Sequence, residues 1–420
     1  SAIVRWHYRH PSEVAMSQNN VVLTIPEPGK VELVERPYPR IIPGYSLVEV
    51  EIAPVCIEHQ VYKEHRFEWH SDAEHQGHEG VGTIREVAPG SKFKVGDRVV
   101  MYQGNPCQEC FVCVRGLSPT HCMSIPYEAL TETQDPGTVL EELGGGAAID
   151  APGGLKAIEN VCGSESGGFG FSKYRIAPDY MIQKLPNDLP FRYAALANCS
   201  IGCTYTALEE ADIRRDEWVV VAGVGFIGFG SIINAKYRGA KVIVLGRNPF
   251  RMEQAKKMGA DYIINPDDDD WLEQIHQLTG PQKGADLVIE ASGYPYYQKK
   301  ALAAVRRFGW VWLYGFLVES GEPLPINLLD EIHNRGVRLS GSHDVYVSHR
   351  EGLIRMLRNP DVQAMANHLI THEYNMSQGA EAFDAALSKQ AGKIYLYPQE
   401  NCPNPGLSPE LRDLVASQSD

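Results

Sequence analysis

The chain has 420 residues, of which 43% are hydrophobic and 22% are charged, as is typical of a folded globular protein. This length predicts two domains, and the net charge of −14 excludes nucleic acids and anionic membranes as favoured partners, because a polyanion would be repelled. We expect neither a secretion signal nor a bilayer-spanning segment, and we expect a cytoplasmic location.

The first hundred residues favour β structure, because short hydrophobic runs alternate with proline and glycine. The predicted strands are Val31–Val34, Ser46–Ile52, Val81–Val87 and Asp97–Met101. From about residue 123 to 170 the sequence is rich in glycine and shows no clear periodicity. Irregular segments of this length inside a domain are often functional.

Four cysteines are crowded just before this irregular region. Cys107, Cys110 and Cys113 are spaced three residues apart, and Cys122 follows. Four thiolates at short separation can close a tetrahedron around Zn²⁺ without the rest of the fold, so a structural zinc lobe is predicted over residues 103–123. The odd total of nine cysteines favours a reducing compartment over a disulfide framework. Unligated thiols, an iron–sulfur cluster and His121 as the fourth ligand are the alternatives.

A regular alternation of strands and helices begins near Glu217, and it predicts a doubly wound parallel sheet of the Rossmann type. After Ser342 the pattern becomes mixed and ends in a strand over Lys393–Tyr397. The alternation from Glu217 to Ser342 predicts, in chain order, the strand Trp218–Ala222, the helix Phe226–Tyr237, the strand Lys241–Leu245, the helix Phe250–Met258, the strand Tyr262–Asn265, a helix from Trp271 capped by four preceding aspartates, the strand Leu287–Ala291, the helix Gln298–Arg307, and the strands Trp310–Gly315 and Val337–Ser342.

A glycine-rich turn joins the first strand of this alternation to its first helix. The run Gly223-Val224-Gly225-Phe226-Ile227-Gly228 follows an apolar strand and opens a helix. Glycines at this spacing allow a tight turn and let a cofactor pyrophosphate approach the N-terminus of the helix. The motif therefore predicts a dinucleotide site, with an unliganded turn as the alternative.

The end of the second strand predicts which nicotinamide cofactor binds. An NAD site usually has a carboxylate there, which holds the ribose 2′-hydroxyl. Here the strand runs into Gly246-Arg247-Asn248, and Arg251 follows one turn later. Because no carboxylate repels a 2′-phosphate and Arg247 can bind one, NADP(H) is predicted in preference to NAD(H).

Further motifs complete the pattern. Gly77-His78-Glu79 is followed by Gly82 and Ala88, Cys56 lies upstream, and Cys199 and Cys203 lie just before the Rossmann region. From Val31 to about Tyr397, the chain resembles the zinc-containing medium-chain dehydrogenase/reductase family, whose best-known members are the zinc alcohol dehydrogenases. The resemblance implies a mostly β, GroES-like catalytic domain that carries the structural-zinc lobe. It places that domain at residues 1–203 and 343–420, and the NADP-binding Rossmann domain at 204–342.

The resemblance also implies roles for single residues. Catalytic zinc would be bound by Cys56, His78 and Cys199, a set that leaves the fourth position open for substrate. Glu79 would be a carboxylate close to the metal, Lys393 would meet the cofactor pyrophosphate, and Cys203 replaces a threonine that lies against the nicotinamide.

The implied reaction is hydride transfer between NADP(H) and an alcohol/carbonyl pair, with zinc as the Lewis acid. We expect two Zn²⁺ per chain from the two ligand sets, a small-molecule substrate, and a homo-oligomer, since family members are commonly dimers or tetramers. A zinc-scaffold lyase or alkene reductase, and a redox-inactive NADP-binding protein, are the alternative functions.

Two residues after Cys56 depart from the family pattern. Family members have a hydroxyl residue and then an aspartate where this chain has Glu58 and His59. Because the hydroxyl starts a proton relay, we predict that Glu58 handles the proton directly, with His59 as the next candidate. A resting zinc ligand or a solvent-facing side chain are the alternatives for Glu58. The histidine-rich stretch His59–His75 is expected to wall the substrate pocket or to form a solvated loop.

Overall fold

The computed structural model describes residues 19–39, 41, 43–64, 77–104, 106–123, 170–315, 324–408 and 411–412. The irregular region predicted between residues 123 and 170 lies, apart from its two ends, outside the described residues. Most of the histidine-rich stretch lies outside them as well.

The described chain forms two sheets and a separate hairpin. Its strands are β1 (Asn19–Glu27), β2 (Lys30–Pro37), β3 (Tyr45–Val55), β4 (Gly80–Val87), β5 (Arg98–Met101), β6 (Tyr174–Pro178), β7 (Ile182–Lys184), β8 (Trp218–Ala222), β9 (Lys241–Leu245), β10 (Tyr262–Ile264), β11 (Ala285–Glu290), β12 (Val305–Leu313), β13 (Arg338–Gly341), β14 (Ile370–Asn375), β15 (Lys393–Tyr397) and β16 (Gly406–Leu407). Its α-helices are α1 (Glu58–Glu64), α2 (Phe111–Val114), α3 (Phe191–Ala194), α4 (Ser200–Glu210), α5 (Phe226–Tyr237), α6 (Pro249–Lys257), α7 (Trp271–Thr279), α8 (Pro295–Ala304), α9 (Arg350–Leu357), α10 (Pro360–Leu369) and α11 (Gly379–Leu387).

The first sheet joins the two ends of the described chain. Its order is β16-β14-β15-β3-β4-β5-β7, with β6 also paired to β3. The long strand β3 is central, since it pairs antiparallel with β4, β6 and β15. Val48 and Val50 of this strand are fully buried and pack in one cluster with Leu23 and Ile25 of β1. The C-terminal strands thus return to the domain that the N-terminal strands begin.

The second sheet has the order β10-β9-β8-β11-β12-β13, and each pairing is parallel. The predicted doubly wound Rossmann sheet is confirmed, and the helix α5 has the predicted bounds. Fully buried valines fill β8, as expected for a strand covered on both faces.

Two details of the Rossmann prediction are wrong. The helix predicted over Gln298–Arg307 begins at Pro295, a favourable first helical residue, and ends at Ala304. Strand β12 begins at Val305, because this β-branched residue pairs with β11 and leaves the helix. In addition, Asp270 precedes α7 without capping it, and its carboxylate instead accepts a hydrogen bond from Gln274 at 2.8 Å.

Helices α9 and α10 pack beside the Rossmann sheet. Leu353 of α9 and Val362 of α10 are fully buried in one cluster with Phe229 and Ile232 of α5. Helices α4 and α5 also approach closely, since a β-carbon at Gly230 would lie 1.8 Å from the Ser200 carbonyl oxygen. The N-terminus of α4 is therefore held against the cofactor-binding region. No helix in the described ranges combines the length and apolar character needed to cross a membrane.

Candidate metal centres and cofactor site

The four cysteines between β5 and α3 form a compact cluster. Their sulfur atoms lie within 4.8 Å of one another, and the Sγ–Sγ distances are 3.4 Å for Cys110–Cys113, 3.7 Å for Cys113–Cys122 and 3.9 Å for Cys107–Cys113. Thiolates bound to one tetrahedral zinc at about 2.3 Å stand about 3.8 Å apart. The predicted ligands are thus brought together at distances that fit a zinc ion.

Backbone amides favour thiolate in this cluster. The amide of Cys107 donates to the Cys122 sulfur, and that of Cys110 to the Cys107 sulfur, both at 3.3 Å. Burial opposes ionisation of Cys110, but hydrogen bonds involving Cys113 outweigh it and lower the pKa of Cys110 to about 6. The ring of His121 lies against His343, with the ring centroids 5.4 Å apart, and His121 is not among the gathered ligands.

A second group of metal-binding side chains comes from three distant parts of the chain. Cys56 follows β3, His78 and Glu79 precede β4, and Cys199 precedes α4, yet their donor atoms lie within 4.8 Å of one another. The sulfurs of Cys56 and Cys199 are 3.6 Å apart, close to the tetrahedral distance. This proximity and burial raise the pKa of the Cys56 thiol well above its usual value. A bound divalent cation would stabilise the thiolate and lower this pKa again, so the donor set fits a metal.

A glycine fixes the approach of the histidine. Gly77 has a φ of +82°, and a β-carbon there would lie 2.5 Å from the Phe171 ring. Only glycine therefore fits, and the turn it makes delivers His78 and Glu79 to the cluster.

The carboxylate of Glu58 holds the imidazole of His78 in place. Its Oε1 accepts a hydrogen bond from Nδ1 of His78 at 2.8 Å, and its Oε2 accepts from the Cys56 amide at 2.8 Å. Burial opposes ionisation of Glu58, but the charge and hydrogen bond of His78 outweigh it, so its pKa is held well below the usual range. This bond fixes the proton on Nδ1 and leaves Nε2 to face a metal. The geometry favours a positioning role, and the proton-handling role stays a prediction.

Glu79 and Lys393 form a buried ion pair beside the cluster. Both side chains have no exposed surface, and Nζ of Lys393 donates to Oε1 of Glu79 at 2.5 Å. Lys393 reaches this point because β15, which it begins, pairs with the end of β3 beside Cys56. Oε1 of Glu79 also lies 3.6 Å from Nε2 of His78, and Oε2 is buried without a hydrogen-bond partner among the described residues. The expected pyrophosphate contact of Lys393 stays a prediction.

His59 and Cys203 each contact the backbone of a residue in the cluster. Nδ1 of His59 is bonded to the Cys56 carbonyl oxygen, and the His59 ring faces Phe226 at the start of α5 with centroids 6.0 Å apart. Cys203 is 5% exposed, and its amide donates to the Cys199 carbonyl at 2.9 Å, one turn away on α4. His59 is therefore held beside Cys56, and its ring faces the start of the helix that follows the glycine-rich turn.

The glycine-rich turn has the form that a pyrophosphate requires. Gly223 has a φ of +92°, a conformation that favours glycine. At Gly228 a β-carbon would lie 2.3 Å from the Gly223 carbonyl oxygen, so the absence of a side chain there lets the helix pack closely on the strand. At Gly225 a β-carbon would meet nothing within 4 Å, so there is open space above the N-terminus of α5. Phe226 and Ile227 form the first turn of that helix. The turn thus fits a dinucleotide.

The two predicted phosphate-binding arginines differ in environment. Arg247 is largely exposed and forms an ion pair with Asp267 at 3.1 Å. Arg251 has its Nε buried without a hydrogen-bond partner in the described part of the chain. Asn248 caps α6 by accepting a hydrogen bond from the Arg251 amide at 3.0 Å. Sequence reasoning missed Asp267, which places a carboxylate beside the predicted 2′-phosphate position.

Three further polar residues at the site were not singled out from the sequence. Glu290, at the end of β11, is buried and accepts amide hydrogen bonds from Ser292 and Gly293 at 2.8 and 3.0 Å, which braces the following loop. Asn198 and Asp344 carry buried side-chain atoms without partners among the described residues. Two features of the sequence could have identified these residues. Asn198 is adjacent to Cys199, and Glu290 and Asp344 lie at or just after the carboxyl end of a parallel strand.

Two family models match the chain. The alcohol dehydrogenase GroES-like domain matches residues 42–187, which include the strands β3 to β7 and both ligand clusters except Cys199. The zinc-binding dehydrogenase domain matches residues 227–358.

Similar proteins span most of the chain. An alcohol dehydrogenase from Geobacillus stearothermophilus is 30% identical over 328 residues, which cover 77% of this chain and 83% of the relative. An erythritol/L-threitol dehydrogenase from Mycolicibacterium smegmatis is 28% identical over 388 residues, covering 88% of this chain and 95% of the relative. The solved structure of the alcohol dehydrogenase TADH from Thermus sp. ATN1 has a TM-score of 0.71 at 21% identity, and the match covers 90% of this chain and 99% of that one, which shows the same fold.

Proposed function

The chain belongs to the zinc-containing medium-chain dehydrogenase/reductase family, and on that basis we propose that it transfers hydride between an alcohol/carbonyl substrate and a nicotinamide cofactor, with NADP(H) preferred over NAD(H). The single observation that carries the proposal is the convergence of Cys56, His78 and Cys199 with Glu79 within 4.8 Å. Three such ligands leave a coordination position for substrate, as catalytic zinc sites require.

The side chains of the site have three roles: to bind the metal, to orient a ligand and to balance charge. When bound, zinc supplies a Lewis acid that favours the ionised alcohol or polarises the carbonyl. Cys56, His78 and Cys199 would hold the ion, and Glu58 orients the imidazole of His78 through Nδ1. The Glu79 carboxylate adds negative charge beside the ligands, and Lys393 balances part of it inside the protein.

The cofactor half of the site rests on α5 and β9. The amides at the N-terminus of α5 would bind the pyrophosphate through the open space above Gly225. Arg251, whose Nε lacks a partner in the described residues, and the exposed Arg247 supply positive charge at the end of β9. Their excess over the single carboxylate of Asp267 supports NADP(H).

We further propose two Zn²⁺ per chain, a cytoplasmic location and a homo-oligomer. No disulfide joins any of the eight described cysteines, in keeping with a reducing compartment. The two gathered ligand sets support the zinc count. We retain the division into residues 1–203 with 343–420, and 204–342, since β14 and β15 join the first sheet.

The test is a panel of alcohols oxidised with NADP⁺ and with NAD⁺, measured as kcat/KM for the wild type and for Arg247→Ala. A charge-assisted contact to a phosphate contributes about 1.5–3 kcal/mol, so the variant is expected to lose roughly ten- to a hundredfold with NADP⁺ alone. A wild type that prefers NAD⁺, or a variant that keeps its NADP⁺ preference, would disprove the cofactor assignment. Absence of turnover for every alcohol with either cofactor would disprove the reaction.

A further inference from the structure

A cavity of about 890 Å³ opens at the edge of the Rossmann sheet opposite the dinucleotide site. It lies where β11 and β12 begin, whereas the glycine-rich turn follows the carboxyl end of β8 in the same parallel sheet. The cavity is therefore separate from the dinucleotide site. The titratable side chains that line it are His276, Lys283, Asp286, Arg306, Arg307 and Arg335.

A bulge in β12 carries two of these arginines. The register between β11 and β12 is interrupted, so that residues 306–309 stand opposite Asp286 alone. Within the bulge Phe308 has a φ of +58°, which a bulky side chain rarely adopts. Bulges often occur beside functional sites, where they redirect side chains. This one brings Arg306 and Arg307 to the wall of the cavity.

The cavity holds more positive charge than its single carboxylate balances. Asp286 is 7% exposed and accepts hydrogen bonds from Nε of Arg306 and from a backbone amide of β8, both at 2.7 Å. Within the described part of the chain, this is the one ion pair formed by any arginine or lysine of the cavity. Three permanent cations thus have no carboxylate partner, namely Lys283, Arg307 and Arg335.

Arg335 is held in place by backbone carbonyls. Its guanidinium donates to Leu302 at 2.6 Å and to Val305, at the end of α8. Burial lowers the pKa of Arg335, the carboxylate of Glu331 acts in the opposite direction, and the charge of Arg307 lowers it further. The two guanidiniums therefore lie close enough to repel each other. A bound anion would relieve that repulsion, and little side-chain freedom would be lost at a guanidinium that is already fixed.

The charge and size of the cavity favour an organic ligand with more than one phosphate group. A guanidinium binds two phosphate oxygens at once, and an ammonium binds them as a point charge. Three cations without carboxylate partners match the charge of two or more phosphates. Small-molecule sites have volumes of about 300–1,000 Å³, and this cavity lies within that range, so it has room for more than inorganic phosphate. Because the chain has a net charge of −14, most of its surface repels such a ligand and this cavity attracts it.

We propose that this cavity is a binding site for a small organic molecule that carries two or more phosphate groups, separate from the dinucleotide site and from both metal-ligand clusters. Arg307 and Lys283, which are exposed, contact the phosphates. Arg306 and Arg335 supply fixed positive charge in the wall. The inference does not depend on the proposed reaction, because none of these residues belongs to the metal or cofactor sites.

The experiment is calorimetric titration of the zinc-loaded full chain with 2,3-bisphosphoglycerate, which has no free hydroxyl group to be oxidised. Tricarballylate, a tricarboxylate, and sulfate are titrated at the same ionic strength. We expect 2,3-bisphosphoglycerate to bind one-to-one and at least tenfold more tightly than either. Arg307→Ala and Lys283→Gln should each weaken binding roughly ten- to a hundredfold, as loss of a charge-assisted contact implies. The matched controls, Arg215→Ala and Lys299→Gln, change exposed cations outside the cavity and should leave the Kd unchanged.

A further variant locates the ligand. Arg251→Ala removes a cation from the predicted cofactor site, and it should leave the Kd for 2,3-bisphosphoglycerate unchanged. Weaker binding in Arg251→Ala together with normal binding in Arg307→Ala would place the ligand in the cofactor site and overturn the inference. Equal affinity for tricarballylate would overturn the assignment to phosphates. A ligand-dependent rise in Tm gives a second readout, and a rise that persists in both Arg307→Ala and Lys283→Gln would also count against the site.

Discussion

The two ligand clusters are built in opposite ways. The four cysteines of the structural-zinc lobe lie within sixteen consecutive residues, from Cys107 to Cys122, and they present sulfur alone. The catalytic cluster draws Cys56, His78 and Cys199 from three loops that only the folded sheets bring together, and it mixes sulfur with nitrogen. A local cluster of four thiolates can close around a metal, whereas a dispersed set of three ligands leaves a position open.

The clusters also differ in what surrounds them. Around the lobe, backbone amides of Cys107 and Cys110 donate to sulfur. Around the catalytic cluster the supporting contacts come from buried side chains: Glu58 bonds to the imidazole of His78, and Lys393 forms an ion pair with Glu79. Because side-chain supports can be removed singly by mutation, the catalytic cluster is where the structure offers the sharper tests.

The largest expected effect separates folding from turnover. Cys56→Ser should reduce kcat/KM about a thousandfold or more, because metal catalysis contributes several kcal/mol, and should leave Tm nearly unchanged. Cys110→Ser should instead lower Tm strongly, since loss of a structural metal is among the few single changes that cost more than about 4 kcal/mol. Elemental analysis should find one zinc per chain in each variant and two in the wild type. One zinc in the wild type, or iron, would contradict the comparison.

The difference between the clusters also explains what the sequence could predict. The spacing of Cys107, Cys110, Cys113 and Cys122 is enough to identify a metal site, because the ligands need no distant contact. Cys56, His78 and Cys199 carry no such signal singly, and only their resemblance to a family pattern joined them. The hydrogen bond between Glu58 and His78 followed from neither source, because which atom the Glu58 carboxylate meets depends on how β3 and β4 approach each other.

The buried ion pair should show the second largest effect. In the described residues, Oε1 of Glu79 has two charged neighbours, the ammonium of Lys393 and the imidazole of His78. Lys393→Met removes the first of them. Breaking a fully buried pair from one side typically costs about 3–5 kcal/mol, because the remaining charge is left uncompensated. Denaturant unfolding of the zinc-loaded protein measures this loss, and Lys389→Met, an exposed lysine nearby in sequence, is the control. Equal stability of both variants would show that Glu79 finds another partner.

A smaller effect is expected at the support of the histidine ligand. Glu58→Gln should weaken binding of the catalytic zinc by about 10–100-fold, because the anchor that orients His78 is weakened. Competition with a chelator measures this directly, and the structural zinc of the same protein serves as the internal reference. If zinc is retained as tightly as in the wild type while kcat falls, Glu58 handles the proton as the sequence predicted.

For the fold as well, the sequence predicted the local elements better than the pairing of distant strands. The strand–helix alternation from Trp218 to Leu313 carries a periodicity that local sequence reveals, and α5 has its predicted bounds. The first strand, β1, was missed, and the return of β14 and β15 to β3 was implied only by the family resemblance. Such pairings join residues more than three hundred positions apart, and no local pattern encodes them.

The smallest expected effect concerns His121, the alternative fourth ligand of the lobe. Its side chain is exposed and faces His343, while four sulfur atoms already stand at tetrahedral separations. His121→Ala should therefore retain two zinc ions per chain and change the free energy of unfolding by no more than about 0.5 kcal/mol, as for other surface substitutions. Cys122→Ala is the matched comparison and should lose the lobe's zinc. Should the histidine variant lose zinc and the cysteine variant keep it, the lobe would be closed by three thiolates and an imidazole, and the contrast between an all-sulfur and a mixed site would disappear.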